Sequence, residues 1–306
     1  MTTRAGLVLA AMTAAISGVS VFINTSAARE FDDPVVFTTL KNGVAALILV
    51  LLALGLRGAS WQAGPRSWAG LAILGVIGGS VPFVLFFTGL AEATAPAAAV
   101  IHKTLFVWVA LLAVPFLHER IGALQVVALA ILLGSQLLIQ NPAGVGWGGG
   151  ETMIAVATGF WAVEVIVAKR LLAGTPSAVA AAARMGIGLV ILVGFLWATG
   201  RLGALTGLTA TQWIWILATG VLLSGYVATW YAGLKRAPAS AVTAVLTLAA
   251  PLTASLQLIS TGAMPGPIVG VGYGIGLVAA LTLTWLALRS QPRAMAADIA
   301  ARAGHD

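Results

Sequence analysis

The sequence predicts an all-α polytopic membrane protein with ten transmembrane helices in two inverted five-helix repeats. Three observations lead there. The residues AVILMFWYC make up 60% of the 306 positions and charged residues only 8%. A soluble domain is about a quarter charged, so this chain cannot build an ordinary wetted surface. The mean hydropathy is +1.02, concentrated in ten apolar runs of about 20 residues, the length a bilayer core requires. Finally, the chain carries its own second copy. Residues 86–101 read FFTGLAEATAPAAAVI, and residues 230–245, 144 positions later, read WYAGLKRAPASAVTAV. Gly89 matches Gly233, Leu90 matches Leu234, and Ala93, Ala95 and Ala97 match Ala237, Ala239 and Ala241. Ala91-Glu92 becomes Lys235-Arg236. Repeats of this kind mark transporter folds.

In order, the runs cover 5–25, 34–56, 68–90, 96–117, 121–140, 151–172, 177–199, 211–234, 240–259 and 267–289. Helix-breaking chemistry separates them. Arg29-Glu30 with Asp32-Asp33-Pro34, Gly64-Pro65-Arg66, Asn141-Pro142 with the glycines of 144–150, and Gly262 through Pro267 each interrupt an apolar run. Pro34, Pro96 and Pro267 fall in first helical turns, where the missing N–H is least felt. Only His118-Glu119-Arg120 divides the fourth run from the fifth. The first run resembles a secretory signal ending at Ser26-Ala27-Ala28, yet it is longer than a usual signal core. Its removal would also leave the first half one helix short of the second. The expected divisions are a first five-helix repeat over 1–140, a Gly-rich extracytoplasmic linker over 141–150, a second repeat over 151–290 and a cytoplasmic tail over 291–306.

Cation placement sets the expected orientation, because short cytoplasmic loops collect Lys and Arg. With the N-terminus inside, the inner segments hold Arg4, Arg57, Arg66, Arg120, Lys169, Arg170, Lys235, Arg236, Arg289, Arg293 and Arg302. The outer loops hold only Arg29 and Arg201. Both termini are therefore expected in the cytoplasm. Five spans per half is an odd number, so the second half enters from the opposite side, which accounts for the Glu92-to-Arg236 exchange. The net charge of +7 is thus a topology signal and not a nucleic-acid footprint. The chain has no cysteine, which excludes disulfides and thiolate metal sites.

The two halves resemble the EamA family of the drug/metabolite transporter superfamily over nearly the whole chain. The resemblance rests on Gly89-Leu90 and Gly233-Leu234 before alanine-rich stretches, on Leu117-His118-Glu119-Arg120 after the fourth span, on Lys41-Asn42 and Arg184 early in the second span of each half, and on Trp161 in the first span of the second half. Gly18 stands where the first-half tryptophan would be, Lys41 replaces the usual arginine, and Ala263 stands where Glu119 would recur. The resemblance implies a central cavity surrounded by the first four spans of each half, with spans five and ten bracing the outside.

Ionisable groups inside a membrane helix are expensive and mark function by default. Glu164 lies thirteen residues into the sixth run, about 20 Å from its outer end, and is the acid placed deepest in any run. It is the candidate for a proton-coupling group or for the partner of a buried cation. His102 and Lys103 lie six and seven residues into the fourth run. Lys103 is a candidate cation for a substrate carboxylate or for Glu164, and His102 is a candidate titrating group. Lys41 and Arg184 lie about 10 Å from the ends of spans two and seven, either holding an anionic solute, gating the mouths or snorkelling to the interface. Phe86, Phe87, Trp108, Phe160, Trp161, Tyr226, Trp230 and Tyr231 are candidate wall residues for amphipathic solutes, with Tyr226 and Trp230 on one helix face. Glycines such as Gly270, Gly272, Gly274 and Gly276 serve close helix packing.

These features lead to an expectation of a secondary active exporter of small organic, amino-acid-like or amphipathic drug-like metabolites, proton-coupled and working by alternating access in a bacterial cytoplasmic membrane. Its partners would be the solute, the proton and the lipid bilayer, with no cofactor, metal or nucleic acid. The rivals are a lipid-modifying membrane enzyme and a passive channel. The first finds no HxxxD- or DxxD-like pair, and no Walker motif supports ATP hydrolysis. Oligomeric state is not legible in the chain.

Overall fold

The computed structural model describes residues 3–55, 64–140, 146–262 and 264–303. Arg57, Asn141-Pro142 and Ala263 lie outside the described residues. Thirteen α-helices occur among the described residues: α1 (Thr3–Ala27), α2 (Pro34–Gly55), α3 (Pro65–Gly79), α4 (Val81–Glu92), α5 (Ala95–Lys103), α6 (Leu105–Leu117), α7 (Ala123–Gln140), α8 (Gly149–Leu171), α9 (Ser177–Ala198), α10 (Ala210–Arg236), α11 (Ala239–Leu246), α12 (Ala249–Thr261) and α13 (Pro267–Ala303). They form ten stretches long and apolar enough to cross a membrane. In lipid every backbone polar group must be satisfied internally, which is why the chain is helical throughout its spans.

Each expected run becomes a span, but three spans are fractured. The third breaks between α3 and α4 at Ser80, because Pro82 in the first turn of α4 supplies no N–H and crowds the turn before it. The Ser80 hydroxyl donates back into the last turns of α3, to Gly75 O at 3.0 Å and Val76 O at 3.1 Å. The fourth breaks at Thr104, whose hydroxyl donates to Ile101 O at 2.6 Å. The ninth breaks at Thr247, whose hydroxyl donates to Ala244 O at 2.6 Å. At the thinnest boundary, His118 adopts a left-handed conformation that ends α6. Beyond the tenth span, Pro267–Arg289, α13 continues as helix to Ala303.

The helices pair by exchange between the halves. α1 packs on α10, α11 and α12, while α8 packs on α3, α4, α5 and α6; α2 packs on α9, and α7 on α13. Two close approaches show that the first two sets are the same contact used twice. A Cβ on Gly89 would lie 2.6 Å from Gly150 O, and a Cβ on Gly233 would lie 3.1 Å from Gly6 O. Gly6 and Gly150 are themselves 144 positions apart, as are Gly89 and Gly233. Small residues let these backbones approach as they do in membrane bundles generally. The glycine run of the tenth span follows the same rule. Gly272 and Gly276 face Ser135 of α7, whereas Gly270 and Gly274 have no neighbour within 4 Å of a built Cβ.

Candidate functional site

Helices α3, α8, α9 and α10 converge on a buried ion pair. Glu164 of α8 and Arg184 of α9 are 2% and 7% exposed, and Arg184 Nε lies 3.6 Å from Glu164 Oε1. The Tyr231 hydroxyl of α10 donates to the same carboxylate oxygen. Arg184 Nη1 reaches Met185 Sδ at 3.5 Å, and its Nε has no hydrogen bond of its own. The pair fits because α3 ends in glycines. A Cβ on Gly78 would lie 2.6 Å from Glu164 Cγ and 2.9 Å from Arg184 Nε, and one on Gly79 would lie 2.0 Å from Arg184 O. Trp161, one turn before Glu164, donates its indole N–H to Gly78 O at 3.3 Å.

An aromatic wall continues from the ion pair along α4. Phe83 and Phe87 are one turn apart and nearly parallel, with centroids at 6.5 Å. Trp161 meets Phe83 and Phe86 at 5.5 Å each, and the His102 ring at the end of α5 meets Phe86 and Trp161 at 5.1 Å each. The Arg184 guanidinium lies 5.9 Å from the Phe83 centroid. At the other end of the wall, Lys41 Nζ lies 5.4 Å from Phe87 and 5.0 Å from Phe37. On the second half's side, Tyr226 and Trp230 stack at 6.2 Å with an interplanar angle of 7°.

The structure thus brings Glu164, Arg184, Trp161, His102 and Lys41 into one connected cluster. Neither Lys41 nor Arg184 snorkels: one is held on two ring faces and the other on a carboxylate. Arg184, and not Lys103, partners Glu164. Lys103 is half-buried at the C-terminal turn of α5, where the helix dipole favours a cation, and it forms no ion pair among the described residues. Trp108 does not line the interior. It is 50% exposed, and its indole N–H is taken by Thr104 Oγ1 at 3.1 Å. Phe160 is half-buried. Sequence reasoning missed Phe83, the Gly78-Gly79 cradle and the bond from Tyr231 to Glu164. The repeat was an available signal, since Phe87 stands 144 positions before Tyr231 and no acid stands at Ser20 or Val21, 144 and 143 positions before Glu164. Among the described residues no group of three or more His, Asp or Glu side chains could hold a metal ion. Two crevices of about 10 Å³ each, one beside Gln136 and Tyr273 and one beside Gln125 and Ser240, do not border Glu164.

Ten apolar spans in two matched halves, meeting around a buried ion pair, define a two-repeat membrane transporter. Residues 4–140 and 148–285 each match the EamA-like transporter family, and the chain belongs to that family, part of the drug/metabolite transporter superfamily. It is accordingly a multi-pass membrane transporter of small molecules. A protein of known crystal structure, 17% identical, superposes with a TM-score of 0.75 over 92% of this chain and 99% of its own, a likeness of fold. Among curated proteins none matches the chain.

Proposed function

We propose that the protein is a secondary active exporter of small organic metabolites, amino-acid-like or amphipathic, and that Glu164 couples transport to protons. Transport proceeds by alternating access, with the repeats 1–140 and 151–290 rocking about the shared cluster and residues 141–150 linking them outside. Inversion of the repeats is supported by the exchanged α1–α10 and α4–α8 contacts and by the swap of Glu92 for Arg236. The bias of cations toward one set of loops supports cytoplasmic termini. Alanine-rich, cysteine-free composition supports a bacterial cytoplasmic membrane.

The observation that carries the coupling role is the sharing of one buried carboxylate between Arg184 and Tyr231. Ionised, the carboxylate ties α8 to α9 and α10. Protonation removes the charge that holds Arg184, loosening this contact and freeing a guanidinium beside the aromatic wall. One side chain thereby links proton occupancy to helix packing. Reconstituted Glu164→Gln protein is expected to lose flux driven by a pH gradient while remaining folded, with a lowered unfolding temperature because Arg184 loses its anion. Undiminished gradient-driven flux would remove Glu164 from the coupling role. Counterflow, in which trapped unlabelled solute accelerates labelled uptake, separates a carrier from a channel.

A further inference from the structure

We infer that Lys41 and the α4 aromatic wall form a subsite for an aromatic carboxylate lacking an ammonium group. The inference deepens the proposed function and rests on it for the subsite's use in transport, though not for its existence.

The repeat supplies the first ground. Lys41 and Arg184 each stand seven residues beyond the first residue of their helices, Pro34 and Ser177. Arg184 has an acid and a hydroxyl beside it, Glu164 and Tyr231. At the matching positions of the first half stand Ser20 or Val21, at offsets of 144 and 143, and Phe87, none of them an acid. Lys41 is therefore the counterpart of Arg184 with the neutralising anion deleted. It is 8% exposed and forms no ion pair among the described residues.

The second ground is energetic. A buried ammonium without an anion carries a penalty of about several kcal/mol. The two ring contacts of Lys41 return only ~0.5–2 kcal/mol each. An arriving anion closes that gap, and the geometry says what should accompany it. His102 Nδ1, at the other end of the wall from Lys41, is buried and unpartnered. Between these polar groups lie Phe83, Phe86, Phe87 and Trp161, faces suited to a flat ring.

The third ground is the charge count. Within the cluster, Lys41 and Arg184 give two positive charges against the single acid Glu164, an excess of one. The acid is already engaged by Arg184 and Tyr231. A zwitterionic amino acid would bring an ammonium group with no free carboxylate to receive it. An aromatic monoanion requires none.

The test uses the full chain, purified in detergent, with calorimetric titration of 1-naphthoate and of its neutral isostere 1-naphthamide. Wild type is expected to bind the acid about tenfold or more tightly than the amide, the discrimination of one charge-assisted contact. Lys41→Met should abolish that preference by weakening the acid alone, and Lys41→Arg should retain it. Where Lys41→Met does not fold, Lys41→Gln carries the same expectation. Equal binding of acid and amide by the wild type, no binding of 1-naphthoate, or an undiminished preference after removal of Lys41 would overturn the inference. Counterflow in wild-type proteoliposomes separates the two readings. A Lys41-dependent preference without counterflow leaves the subsite standing and removes the carrier. Counterflow with a Lys41-independent affinity removes the subsite alone.

Discussion

The turns at 92–96 and 236–240 are copies of one another, yet they are held by different forces. At the second, the Glu119 carboxylate accepts the backbone N–H groups of Ala239 at 2.5 Å and Ser240 at 3.2 Å, and the Ser240 hydroxyl at 2.5 Å. Lys169 Nζ donates to Leu234 O at 2.6 Å and Ala237 O at 2.7 Å, and Lys235 Nζ to Thr175 O at 2.8 Å. A carboxylate therefore caps the start of α11 while an ammonium caps the end of α10, each at the helix terminus that favours its sign. At the first turn, Pro96 stands where Ser240 would be and offers no N–H. Backbone is pressed against backbone there instead: a Cβ on Gly150 would lie 2.7 Å from both Gly89 O and Ala93 N. One end of the bundle is thus closed by charge across the halves. The corresponding turn at the other end is closed by the absence of side chains, with Asp33–Arg201 and Gln212–Glu30 bridging nearby.

This contrast can be broken at either end. The largest effect is expected from Glu119→Ala, which strands three donors and should destabilise the protein by about 3 kcal/mol. Thermal unfolding in detergent measures it. Since the chain has no cysteine, a single cysteine at Ala239 should also label faster with a thiol reagent in this background. Gly150→Ala should cost about 2 kcal/mol by overpacking while leaving the labelling of Ala239 unchanged. If it speeds labelling at 239, the two ends are not held independently. The smallest effect, at most about 1 kcal/mol, is expected from Asp33→Asn. Its partner Arg201 is about a third exposed, and the 2.9 Å contact lies where solvent and salt screen it. The difference between Asp33→Asn and wild type should vanish at high ionic strength. A difference that salt does not touch would mean that Asp33 acts through its bonds to the Val35 and Val36 N–H groups at the start of α2.

The spans were legible because hydropathy acts locally. Every expected run recurs as a membrane-length helical stretch with ends within a few residues. The fractures at Ser80, Thr104 and Thr247 were not, since a break inside hydrocarbon leaves composition unchanged; only Pro82 announced one. Glu164, Arg184 and Lys41 stood out as charges in apolar runs. Their partners did not, because choosing among Lys41, Lys103 and Arg184 for Glu164 depends on which helix faces gather around Gly78 and Gly79. Trp108 shows the same limit from the other side. It shares a helical run with interior residues, yet nothing in its neighbours' identities told that its face would turn outward.

The proline in the first turn of α4 has a consequence that crosses the halves. Pro82 has no N–H to offer Gly78 O, and the Trp161 indole supplies one from α8 at 3.3 Å. The kink of the third span is thereby stitched to the sixth, in a layer with no water to serve a bare acceptor.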